Sequence, residues 1–72
     1  MPLRQCFEFV GGNSNKFWNV EVKGSSVTRK WGPIGHPGQS KTDPYPGSGA
    51  AMDAALKKIN EKAREGYKQI PC

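Results

Sequence analysis

The stretch KFWNVEVKGSSVTRKW, Lys16 to Trp31, decides how the rest of the chain folds. In its first half Trp18, Val20 and Val22 alternate with Phe17, Asn19, Glu21 and Lys23. Successive side chains of an extended strand point to opposite faces of a sheet, so this period of two predicts a half-buried strand with Trp18 in the core. Gly24 and Ser25 interrupt the pattern, and the alternation then resumes with Val27, Arg29 and Trp31 on one side. Two alternating runs joined by so short a break predict a β-hairpin.

Before the hairpin, Arg4 to Val10 carries Phe7 and Phe9 on alternate positions and runs into GGNSN, which reads as a strand followed by a turn. After it, Gly32 to Gly38 (GPIGHPG) holds three glycines and two prolines in seven residues, too many breakers for any regular element, and is expected to be a loop. Gln39 to Tyr45 is a candidate fourth strand. Pro44 and Pro46 remove backbone donors there, which confines that strand's end to a sheet edge.

From Ser48 the pattern changes to a helical one. SGAAMDAALKKINEKAREGY spaces Met52, Leu56, Ile59 and Ala63 along one face, predicting a helix from about Ser48 to Glu65 that buries those four residues. Ser48 is the expected N-cap and Gly66 the C-cap glycine; Asp53 to Lys57 and Lys57 to Glu61 are the expected i,i+4 pairs. The result is a single α+β domain over residues 1–72, a small antiparallel sheet of three to four strands packed against one C-terminal helix. The helix covers one face of the sheet, and function is expected on the other, open face.

Composition narrows the classes of function. The chain has 72 residues, with 11 Lys and Arg against 6 Asp and Glu, for a net charge of +5. So short a chain builds a thin core with little room for a deep cleft, and the basic balance favours an anionic partner such as nucleic acid. Its two cysteines, Cys6 and Cys72, sit near opposite ends. That is no disulfide-dense scaffold, and the expectation is a reduced, intracellular protein. With one His and no C-x-x-C pair, a structural zinc site is not expected, nor is any other metal or cofactor. No signal peptide or membrane span is evident, so a cytoplasmic location is expected, with no membrane partner. A lone His36 in a glycine/proline loop assembles no nucleophile, base and orienting group, and no catalytic residue is assigned. The glycines of GPIGHPG match neither dinucleotide-binding nor P-loop spacing.

Three segments, NKFWNVEV, WGPIGHPGQSK and the closing KKINEKAREGY, together resemble a WGR domain. This module is named for a Trp-Gly-Arg strand end and is found in DNA-dependent poly(ADP-ribose) polymerases and in bacterial proteins. The resemblance runs from about Arg4 to Tyr67. Its most specific element is W-G-x-[IV]-G-x-x-G-Q, met by Trp31, Gly32, Ile34, Gly35, Gly38 and Gln39, and the preceding Asn15, Lys16, Phe17 and Trp18 agree in order and spacing. The resemblance implies a binding domain whose tryptophan packs against the terminal sugar of a DNA end while polar and basic groups hold the 5′-phosphate. Pro33 replaces the arginine of the family's name and removes a guanidinium able to grip phosphate.

The residues themselves allow two roles for Trp31. It can cap the core with Val27, or present its ring to a partner beside Arg29, Lys30, His36 and Lys41, where base or sugar stacking suits it. The mixed face it shares with Val27 and Arg29 favours at least partial exposure. Arg29, Lys30 and Lys41 also lack the interleaved acids of the helix lysines, so they are expected to contribute more to nucleic-acid affinity. The candidate nucleic-acid-binding set is thus Trp31, Arg29, Lys30, Asn15, Lys16, His36, Gln39 and Lys41. The alternative partner is a protein docking on the same face.

Overall fold

The structure, a computed structural model, describes residues 3–72. Five strands and one helix follow in the order β1 (Leu3–Gly11), β2 (Ser14–Lys23), β3 (Ser26–Pro33), β4 (Gln39–Pro44), α1 (Ser48–Glu65) and β5 (Lys68–Ile70). The strands form one antiparallel sheet in the order β4-β3-β2-β1-β5. The first four make a meander of sequential neighbours. The helix then carries the chain from the β4 edge to the opposite edge, where β5 pairs with β1. The α+β class and the closing helix are as the sequence predicts, with β4 at an edge and Pro44 its last residue.

The register explains the core. Phe7 lies opposite Trp18, Trp18 opposite Trp31, and Val22 opposite Val27, so these side chains share one face across three strands. Phe7, Trp18, Val20, Val22 and Val27 are buried there with Ala51 and Ala55 of α1. Phe7 and Trp18 meet as a tilted aromatic pair with ring centroids 5.8 Å apart, a geometry that favours aromatic rings beyond the area they bury.

Four details differ from the sequence reading. The helix is rotated: Ala51 and Ala55 are fully buried and Met52 and Ile59 partly so, while Leu56 is 44% exposed and Ala63 is exposed. The sheet already presents large side chains in Trp18 and the valines, and a helix seats closely on such a surface through small residues. The N-cap is Gly47, without a side-chain cap bond, while Gly66 ends the helix in the left-handed conformation as expected. The ion pairs along the helix are Lys58 with Glu61 (3.8 Å) and Lys62 with Glu65 (3.6 Å), both i,i+3, in place of the expected pairs through Lys57.

The fourth difference concerns the cysteines, expected to be reduced: Cys6 and Cys72 form a disulfide. The unforeseen fifth strand is the reason. Pairing of β5 with β1 sets Ile70 opposite Cys6 and so brings residue 72 within reach, with the two Cα atoms 5.3 Å apart. Cys6 alternates with Phe7, so the bridge lies on the sheet face away from the helix.

Candidate functional site

The GPIGHPG loop is built around Trp31. The His36 N–H donates to the Pro33 carbonyl at 3.1 Å, closing a turn whose third residue, Gly35, has φ 90°. That is the position of a type II turn where only glycine is unstrained. The Ile34 N–H donates to the Asn15 carbonyl at 3.0 Å and ties the loop to β2. At the loop's base two backbones nearly touch: a Cβ on Gly32 would lie 2.7 Å from the Gly38 Cα, and one on Gly38 would meet the Trp31 carbonyl and the Phe17 ring. The glycines of the W-G-x-[IV]-G-x-x-G segment therefore fix where Trp31 sits.

Trp31 packs on the core and also borders two surface depressions. It is partly buried against the core, directly opposite the buried Trp18. One flank borders a groove lined by Trp18, Arg29, Lys58, Glu61, Lys62 and Tyr67, and the other a depression lined by Gly32, Pro33, His36, Gly38 and Gln39. The candidate residues were expected on the open face, and the register places most of them on the other one. Trp31, Arg29, Gln39, Lys41 and Lys16 all lie on the helix-covered face, at its uncovered margin, because the register pairs Trp31 with Gln39 and Arg29 with Lys41. Asn15 and Lys30 alternate onto the opposite face. Asn15 serves the site through its carbonyl, and Lys30 does not converge with Trp31.

The charges are also more engaged than the sequence suggested. Arg29 donates from Nη2 to Asp43 Oδ2 at 2.9 Å, and Lys41 Nζ lies 3.9 Å from the other carboxylate oxygen. Asp43, two residues along β4 from Lys41, is thus the interleaved acid that the sequence reading missed.

Lys58, Lys62 and Tyr67 border the groove but stand outside the candidate set, the helix lysines having been ranked below Arg29, Lys30 and Lys41. Lys62 Nζ sits 5.7 Å from the Trp18 ring centroid and 5.2 Å from that of Tyr67. Lys16 Nζ lies 5.2 Å from Phe9 and 5.7 Å from Tyr67, whose rings pair at 5.5 Å. Two ammonium groups therefore share the Tyr67 ring, each attracted by aromatic quadrupoles. The available signal was Gly66, since a left-handed cap turns the following residue back toward the sheet. Among the described residues no cluster of three or more His, Cys, Asp or Glu gathers as metal ligands, and no helix is long and apolar enough to cross a membrane.

An antiparallel sheet with one crossing helix, and a Trp-Gly strand end folded over a glycine-pinched loop, define a WGR-type module. The WGR domain profile matches residues 3–71, and the chain belongs to that family. It is 38% identical over 61 residues to protein YehF of Escherichia coli K12, covering 85% of this chain and 22% of that protein. It is 28% identical over 69 residues to YfeS of the same organism, covering 96% of this chain and 28% of YfeS. A crystal structure of a Bacteroides fragilis protein superposes with a TM-score of 0.93 at 33% identity, over 96% of this chain and 20% of that one. The chain thus spans between a fifth and about three tenths of the length of these relatives.

Proposed function

We propose that this WGR domain is a non-catalytic, cytoplasmic binding module that engages nucleic acid, specifically DNA at an end or break. The observation that carries the reading is the placement of Trp31. Its ring packs on the core on one side and borders a groove with Arg29, Lys58 and Lys62 on the other. An anchored indole beside cations suits stacking on a terminal sugar or base, with phosphate nearby. Lys16 is opposite Pro33 in the register, but its ammonium lies over Phe9 and Tyr67, so Pro33 leaves the position of the family's arginine without a side-chain cation from this residue. A protein partner is the second reading, favoured by one observation: Arg29, Lys58 and Lys62 each already have an acidic neighbour.

Fluorescence anisotropy with a short 5′-phosphorylated duplex, repeated across a salt series, tests the first reading. Nucleic-acid binding makes log K fall with log salt at about 0.9 per phosphate contacted. Absence of binding at low salt overturns the DNA reading and favours the protein partner.

A further inference from the structure

We infer that the Cys6–Cys72 bridge is a thiol-responsive latch that fastens β5 and the residues following it onto the sheet. Three observations carry this. First, β5 holds to β1 by only three register pairs (Cys6 with Ile70, Phe7 with Gln69, Glu8 with Lys68) and contributes no buried residue of its own. A segment so short and exposed belongs to the least stable part of a fold, and the covalent tie is what keeps it in place. Second, the core does not depend on it: the buried residues between Phe7 and Ala55 come from β1, β2, β3 and α1, and the helix packs on β2 and β3. Third, the bridge is asymmetric, with Cys6 6% exposed and Cys72 exposed.

The reaction is thiol–disulfide exchange with a dithiol reductant. Its thiolate attacks Sγ of the exposed Cys72, the S–S bond breaks, and Cys6 departs as a thiolate that takes up a proton. The reductant's second thiol then displaces Cys72 from the mixed disulfide. The protein gains two electrons and two protons and the dithiol becomes a disulfide. Release of β5 frees the outer edge of β1 and removes Ile70 and Pro71 from the lining of a groove on the open face that Arg4 and Lys30 also line. In a reducing compartment, where protein disulfides are chiefly transient or redox-sensing, such a bridge reports the thiol status.

Hydrogen exchange of the full chain, oxidised and after dithiothreitol, tests this. In the reduced form the amides of Lys68 to Ile70 and their β1 partners should exchange roughly tenfold faster or more, with β2, β3 and α1 unchanged. Both cysteines should be alkylated by iodoacetamide only after reduction. Cys72→Ser should show the released pattern without reductant and ignore dithiothreitol. The latch is overturned if β5 stays protected on reduction, if protection is lost throughout the domain, or if both thiols remain free after treatment with oxidised glutathione.

Discussion

Two tryptophans face each other across β2 and β3, yet their substitution should have unlike consequences. Trp18 is 4% exposed at the centre of the core, and Trp18→Ala should cost about 3 to 5 kcal/mol, enough to unfold most of a domain this small. Trp31 is only partly buried, so Trp31→Ala should cost about 2 kcal/mol and leave a folded protein. Binding of a duplex with 5′-phosphate ends should weaken in that folded variant, with a smaller loss on circular DNA. Urea unfolding beside anisotropy on both DNA forms checks the pair. Asp43 offers a complementary test. Because its carboxylate holds Arg29 at 2.9 Å, Asp43→Asn should release a guanidinium into the groove margin and strengthen DNA binding several-fold at low salt. A protein-docking groove would show no such gain for DNA.

At the scale of elements, the helix seat makes the clearest forecast. Leu56 is 44% exposed, so Leu56→Ala should cost under about 1 kcal/mol, well below the 2 to 5 kcal/mol of a buried leucine. Ala55→Leu should instead overpack the interface and cost about 1 to 3 kcal/mol. Chemical denaturation midpoints of the two variants should therefore move by very different amounts. The same element marks where sequence reasoning stops. The β2–β3 hairpin was legible because a period of two leaves no ambiguity about faces, and the helix because its apolar spacing and capping glycine agree. Its rotation was not. Alanine is weakly apolar, so Ala51 and Ala55 read as filler beside Met52, Leu56 and Ile59 until the bulk of Trp18 beneath them is known. That rotation in turn chooses Lys58 and Lys62 to border the groove, which is why Trp31 and the glycine loop were visible beforehand and the helical half of the site was not. β5 escaped because three residues are too few to show a period.

For the whole molecule, the sheet order carries a consequence for how the chain assembles. Strands β1 to β4 pair with their immediate sequence neighbours, whereas β5 pairs with β1 only after everything between them has been traversed. Contacts between residues close in sequence form fastest, since little chain entropy is lost in closing them. The meander can therefore appear early, but with Trp18, Val20 and Val22 unsheltered until the residues of α1 have left the ribosome and the helix has docked. In that interval an apolar sheet face and a naked β1 edge coexist, the two features that most invite pairing with another copy. Pulse-labelled refolding should protect the β2–β3 amides before those linking β1 and β5. A chain truncated after β4 should associate with itself, because the surface that α1 covers would then have no other place to go.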